Sequence, residues 1–223
     1  TSLVENGGSC GVLIMNLPAI LFLLPVPIFG LLTPAVDQML RASGRKLVPY
    51  WTMAALIISF SSALYLLLSS QRSEGLLNGV LLLDPLSLFF AVVFLFISLL
   101  VNVTSISYMK QVENPLAYYG LLLFSTFGMM LVALSVDLVV LFVSWELMSV
   151  PTYVLTGILK RDPTSNEAAL KYFLTSALSS GLLIYAISLI FGVTGSTNML
   201  IIAERLASKS LLLEPMTVLA IAL

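Results

Sequence analysis

Leu141-Phe-Val-Ser-Trp-Glu-Leu-Met-Ser-Val-Pro151 lies near the middle of a stretch that otherwise reads as a membrane-spanning helix. The runs around it are long, apolar and unalternating, and this decides the fold. A spanning helix needs about 20 mainly apolar residues, whereas a barrel strand needs about 10 that alternate. In lipid the backbone must satisfy its own polar groups, so such runs are helical. The chain therefore reads as an all-α, polytopic transmembrane bundle. Composition agrees: of 223 residues, 59% are hydrophobic and 9% charged, with a mean hydropathy of +1.07, whereas soluble proteins are roughly 25% charged. The lipid bilayer is the first partner, and a net charge of −1 argues against nucleic acid.

Within the quoted stretch, Glu146 is the anomaly. A charge at the bilayer centre costs about 3 kcal/mol or more, so a carboxylate there is a functional-site hypothesis by default. Ser149 and Tyr153 follow at i+3 and i+7, on one helix face, making a polar stripe from mid-membrane toward the inner side. Pro151 has no amide to donate, which frees the carbonyl of Leu147 beside Glu146. A kink, a free carbonyl and a carboxylate together make a place for water. The competing reading is a structural carboxyl, protonated and hydrogen-bonded to a neighbouring helix.

Six complete spans are expected, at about 17–40, 48–70, 86–109, 115–135, 138–159 and 168–193, with a seventh starting near Pro215. Pro18, Pro25, Pro27 and Pro34 make the first irregular, because interior prolines break helical bonds. Gly11 to Leu40 is too long and too proline-punctuated for a cleaved signal peptide. Met199 to Leu213 is amphipathic and suits the outer interface. The sequence ends at Leu223, inside the seventh span, so a longer polypeptide is expected. Lysine and arginine bias sets orientation. With the N-terminus outside, Arg41, Arg45, Lys46, Lys110, Lys160 and Arg161 fall in inner loops. Arg72, Arg205 and Lys209 fall in outer ones. The bias favours the N-terminus on the outer, positive side.

Lys171 is the second candidate, in Ser165-Asn-Glu-Ala-Ala-Leu-Lys-Tyr172. Thr175 and Ser179 extend a polar face at i+4 and i+8. Glu167 stands at i−4, the favourable order for a helical ion pair, so Lys171 can equally snorkel to the inner surface and pair there. Glu146 lies roughly 20 Å from the inner end of its span and Lys171 about 6 Å from its own, at the helical rise. A direct Glu146–Lys171 salt bridge is not implied. Asp84 and Pro85 read as an N-cap and first helical residue. Ser176, Ala177, Ser179, Ser180 and Gly181 read as a small-residue packing patch. Asp37 lies at the inner end of the first span, and Tyr50, Trp51 and Tyr108 read as interfacial anchors.

Cys10 is the single cysteine and there is no histidine. Intrachain disulfides, cysteine-held iron–sulfur clusters and histidine-held haem are excluded, as is a histidine-based zinc site. No glycine-rich dinucleotide fingerprint occurs. No cofactor-binding or metal-binding residue is assigned, and any redox chemistry belongs to another chain.

Trp145-Glu-Leu-Met-Ser-Val-Pro151, Lys160-Arg-Asp162 and Ser165-Asn-Glu-Ala-Ala-Leu-Lys-Tyr172 together resemble the N-type antiporter-like subunit of respiratory complex I, the mitochondrial subunit 2 type and its bacterial, archaeal and photosynthetic counterparts. Asp84-Pro-Leu-Ser-Leu-Phe-Phe90 and Leu213-Glu-Pro215 fit as well. The resemblance runs from about residue 80 onward, and sister antiporter-like subunits share the Trp-Glu element. It implies a single membrane domain over 1–223, the N-terminal part of a fold with two inverted repeats. Residues 1–114 would hold the first three spans and 115–223 the start of the first repeat. It implies that Glu146 is the fifth-helix glutamate that pairs with a seventh-helix lysine, which would fall beyond Leu223. Lys171 matches the sixth-helix lysine of the N type. Ser149, Pro151, Tyr153, Glu167, Thr175 and Ser179 would support these two. The function implied is proton translocation in the membrane arm of a complex I-like oxidoreductase, an NADH:quinone oxidoreductase-like translocase in which this chain is a non-redox subunit. Quinone, flavin and iron–sulfur clusters would sit in partner subunits, and the other membrane-arm subunits are the expected partners. The setting would be a prokaryotic plasma, thylakoid or mitochondrial inner membrane. A cation/proton antiporter subunit, a membrane-hydrogenase subunit and a purely structural membrane subunit are the alternatives.

Overall fold

The computed structural model describes residues 17–40, 47–69, 74–76, 79–109, 115–208 and 215–223. Cys10, Arg41, Arg45, Lys46, Arg72, Lys110 and Lys209, and the side chain of Asp37, lie outside the described part. The elements are α1 (Leu17–Leu23), α2 (Pro25–Leu40), α3 (Val48–Ser69), β1 (Glu74–Leu76), β2 (Leu81–Leu83), α4 (Pro85–Tyr108), α5 (Pro115–Leu134), α6 (Leu138–Thr156), α7 (Pro163–Thr194), α8 (Met199–Ser208) and α9 (Pro215–Ala222).

Among the described residues, five helices are long and apolar enough to cross a membrane: α3 to α7. The expected first span is instead two helices, broken at Leu24 ahead of Pro25. The residue before a proline is pushed out of the helical region, and Pro25 brings no amide to bridge the gap. Pro34 sits inside α2. The sixth span also departs from expectation, because α7 starts at Pro163 and runs 32 residues. At the helical rise that is about 48 Å, against a hydrocarbon core of about 30 Å. Its first turns therefore reach the headgroup zone.

Aspartates start three of the spans. Asp84 Oδ1 accepts from the amide of Ser87 at 3.0 Å, with Pro85 at the first helical turn of α4, as expected. Asp137 Oδ1 accepts from Val139 and Val140 at the head of α6, at 2.9 and 3.3 Å. Asp162 Oδ1 accepts from Thr164 at 3.0 Å, again ahead of a proline. At its far end α7 stops on Gly195, whose φ of 68° is left-handed, and whose amide bonds Phe191 O at 2.7 Å. Arg205 of α8 caps the same end by donating to the carbonyl of Thr194.

The bundle centres on α5, which packs against α2, α4 and α6. A core of fully buried residues joins α1 and α2 (Phe22, Val26), α3 (Leu56), α4 (Leu88, Leu95) and α5 (Leu123, Met130). Lipid gives no hydrophobic drive between helices, so close packing and polar contacts hold them. Asn102 Nδ2 donates to Thr52 Oγ1 at 2.7 Å, Thr126 to Ser98 at 2.9 Å, and the hydroxyls of Ser105 and Tyr118 are hydrogen-bonded at 2.6 Å. At about 0.6 kcal/mol each on average, these fix register more than they stabilise. Tyr50 and Tyr108 are exposed near span ends, but Trp51 is not an interfacial anchor. It stacks on Phe29 with ring centroids 4.4 Å apart, because α2 lies against α3, and its buried Nε1 finds no hydrogen-bond partner among the described residues.

The segment between α3 and α4 holds a short hairpin that the sequence reading did not foresee, with Glu74 opposite Leu83 and Leu76 opposite Leu81. It turns through Gly79, whose φ of 81° suits glycine. Its second strand bridges to Ser135, and Val136 donates to Val80 O at 3.0 Å. Asp137 pairs with Asn198, and Leu138 donates to Thr197 O at 2.9 Å. Three connections at one end of the bundle are thus knit by backbone hydrogen bonds. The opposite end is closed by Val48, Met109, Leu116 and Tyr119.

Candidate functional site

Glu146 stands near the middle of α6, in a helix held firmly on one side. Gly128 of α5 meets the α6 backbone so closely that a Cβ there would lie 2.7 Å from Met148 Cα and 2.9 Å from the carbonyl carbon of Leu147. Ser125, one turn earlier, donates its hydroxyl to Met148 O at 3.1 Å. Pro151 is buried within the same helix. These contacts fix the backbone from the Leu147 carbonyl carbon to the Met148 carbonyl, the stretch that begins one residue after Glu146.

On its other side α6 meets α7. The hydroxyl of Ser180 donates to Glu146 Oε1, and both residues are half-buried. Toward the far end of α6, Tyr153 packs edge-on against Tyr172 and Phe173, with ring centroids at 5.0 and 5.9 Å. Thr152 also reaches the Tyr172 hydroxyl, at 3.4 Å. Glu146 and Tyr153 therefore face the same neighbour, and Ser149 between them is buried. The stripe exists, but it is roofed by α7 and closed at its far end by three aromatic rings. Tyr172 and Phe173 lie eight and seven residues before Ser180, which returns them to nearly the same helix face.

Lys171 is placed elsewhere. It pairs with Glu167 at 2.6 Å, with side chains 74% and 65% exposed. Nine residues separate it from Ser180, half a turn in helical phase, so it points to the opposite side of α7 from Glu146. Thr175 and Ser179 share its exposed side and donate to their own backbone, to Lys171 O at 2.9 Å and Thr175 O at 3.1 Å. The structure thus brings together Glu146, Ser149, Pro151 and Tyr153, and separately Glu167, Lys171, Thr175 and Ser179. As the helix depths implied, no ion pair links the two sets. Nothing in the sequence marks Gly128 or Ser125, and the small-residue patch that contains Ser180 reads as packing.

Two family models match the sequence. Residues 135–223 fit "NADH:quinone oxidoreductase/Mrp antiporter, TM", and residues 77–119 fit "NADH-Ubiquinone oxidoreductase (complex I), chain 5 N-terminus". The first covers Glu146, Lys171 and Ser180. The chain belongs to the antiporter-like membrane subunits. Relatives of this antiporter-like chain include NADH-quinone oxidoreductase subunit N 1 of Koribacter versatilis, 47% identical over 141 residues, covering 63% of the chain and 27% of the relative. F(420)H(2) dehydrogenase subunit N of Methanosarcina mazei is 36% identical over 155 residues, covering 69% and 31%. The antiporter-like chain thus spans about a third of the length of the curated relatives it matches. Its fold matches a chain of respiratory complex I from Thermus thermophilus with a TM-score of 0.65 at 23% identity, over 89% of this chain and 45% of that one.

Proposed function

We propose that this chain is a proton-translocating membrane-arm subunit of a complex I-like oxidoreductase, coupling reduction of a quinone or similar carrier to proton pumping. The observation that carries the reading is Glu146, an ionisable side chain at mid-span between α6 and α7, inside the stretch that matches the antiporter family. A packing role alone is served as well by glutamine, without the ionisation cost. The relatives named NADH-quinone oxidoreductase subunit N and F(420)H(2) dehydrogenase subunit N support the same assignment, and because their names give different donors they leave the donor open. Flavin, iron–sulfur clusters and quinone belong to partner subunits, and the other membrane-arm subunits are the chain's partners.

In this mechanism the redox arm drives a rearrangement that alters the contact between Glu146 and a cationic partner from a later helix. A carboxylate nearby favours a protonated lysine, and its withdrawal from a buried lysine favours proton release by up to about 3–5 pKa units. Each unit is about 1.4 kcal/mol, so moving one carboxylate suffices to capture and eject a proton. Glu146 is the electrostatic gate. Lys171, on the exposed side of α7 toward the inner entry, is a relay that reaches the gate through water or a neighbouring helix. The N-terminus lies on the positive side. Residues 115–223 form the start of the first antiporter-like repeat.

The test is Glu146→Gln in the assembled complex. Coupled proton transport is expected to be abolished or severely lowered while the complex still assembles. Wild-type pumping in that variant would remove the assignment and leave a structural role. The first family model also describes Mrp antiporters, which favours a cation/proton antiporter as second reading. Co-purification of this chain with flavin- and iron–sulfur-bearing subunits separates the two.

A further inference from the structure

Ser180 behaves differently from four other hydroxyl residues of its helix. Thr175, Ser179, Ser188 and Thr194 of α7 each donate to the carbonyl four residues earlier, at 2.9, 3.1, 3.0 and 2.7 Å. That back-bond is the ordinary resting place of a mid-helix serine or threonine. Ser180 instead donates across the helix interface to Glu146 Oε1. The corresponding carbonyl of Ser176 is its alternative acceptor, one χ1 rotation away.

We propose that Ser180 is a positioning residue for Glu146: a two-position latch that holds the carboxylate against α7 and releases it by turning its hydroxyl back to Ser176 O. The inference rests on the reading of Glu146 as the gate. Three features of the site carry it. The backbone beside Glu146 is fixed on the α5 side by the Gly128 approach and the Ser125–Met148 hydrogen bond, so the carboxylate's freedom lies on the α7 side. Only Oε1 is held, and Oε2 takes no hydrogen bond from the described residues, so one oxygen remains for a cationic partner. Release also strands no hydroxyl donor in lipid, where an unsatisfied donor costs several kcal/mol, because Ser180 has a second acceptor on its own helix, while the freed carboxylate passes to its cationic partner. A serine opposite an intramembrane carboxylate thus supplies a hold that is easily undone, which a charged partner at the same place would not. The hydroxyl proton stays on Ser180 throughout, and only its acceptor changes.

The test uses the assembled complex with Ser180→Ala, Ser180→Thr and Ser180→Cys, beside Glu146→Gln. The first readout is infrared difference spectroscopy, with the Glu146 band identified by its loss in Glu146→Gln. The second is protons pumped per electron transferred. Ser180→Ala is expected to move the Glu146 band and to lower coupled transport by a factor of about 10, the worth of one hydrogen bond to a charged acceptor. Ser180→Thr is expected to keep both, and Ser180→Cys, a weak donor, to fall between. An unmoved band in Ser180→Ala overturns the latch, as does a threonine variant that behaves like the alanine one. Failure of both the alanine and cysteine variants to assemble, with the threonine variant intact, assigns Ser180 to packing and also overturns it. If Glu146→Gln pumps normally, the gate reading itself fails. If Glu146→Gln is inactive and Ser180→Ala pumps as the wild type does, only the latch fails.

Discussion

At the scale of single residues, Glu146, the proposed gate, is positioned as much by an absent side chain as by a present one. Gly128 has no Cβ, and α5 uses the space to lie on the backbone of Leu147 and Met148. Gly128→Ala places a methyl group against backbone atoms that have no rotamer by which to yield. Overpacking of this kind costs about 1–3 kcal/mol, so the variant is expected to unfold at lower temperature or denaturant and to lose coupled transport in parallel. An unchanged unfolding midpoint for the solubilised complex would refute the close approach. Glu146 was legible in the sequence because a carboxylate in an apolar run violates a solvation rule that needs no partner to state. Its neighbours were not. Ser179 and Ser180 differ by 100° in helical phase, and only the placement of α6 decides that Ser180 is the one that meets Glu146. Lys171 shows the same limit from the other side. Its pairing with Glu167 follows from spacing alone, whereas its direction away from Glu146 depends on how α7 is rotated against α6.

Among the elements, Asp137 has the widest reach. Oδ1 caps α6 through Val139 and Val140. Oδ2 accepts from Thr197 at 2.5 Å, and its backbone pairs with Asn198. One residue therefore starts α6 and ties it to the end of α7. Asp137→Ala should cost about 1–2 kcal/mol from the cap alone, with faster amide hydrogen exchange at Val139 and Val140. Asp137→Asn keeps an oxygen at Oδ1 and should retain most of the protection. Equal exchange in the wild type and the alanine variant would show that the cap is not what holds this end. Such caps were readable where a proline follows, as at Asp84-Pro85, because both residues signal a helix start. The length of α7 was not readable from hydropathy, since Pro163 to Glu167 are polar and hydropathy registers the bilayer rather than the helix. Asp162-Pro163 marks the true start. The hairpin at 74–83 escaped because its strands, Glu74–Leu76 and Leu81–Leu83, are 3 residues each, too short to show a period-2 pattern.

For the whole molecule, the decisive quantity is which end faces which side, because it sets the direction in which the stripe below Glu146 runs. The knit end joins the hairpin, the α5–α6 connection and the α7–α8 connection. The opposite end carries the α6–α7 turn with Lys160 and Arg161, both exposed. Cationic loops are retained inside, so the orientation we propose puts the α6–α7 turn on the inner side and the knit end, with Arg205 directed back onto Thr194, on the outer side. Cysteine labelling decides it. With Cys10 replaced by serine, a single cysteine at Lys160→Cys is expected to react with a membrane-impermeant maleimide only from the inner face of oriented vesicles. A single cysteine at Glu204→Cys, on the exposed side of α8, is expected to react only from the outer face. The opposite pattern would invert the molecule. The aromatic closure of Tyr153, Tyr172 and Phe173 would then guard the outer side of Glu146, and the exposed Lys171 would stand at the exit of the proton path instead of its entry.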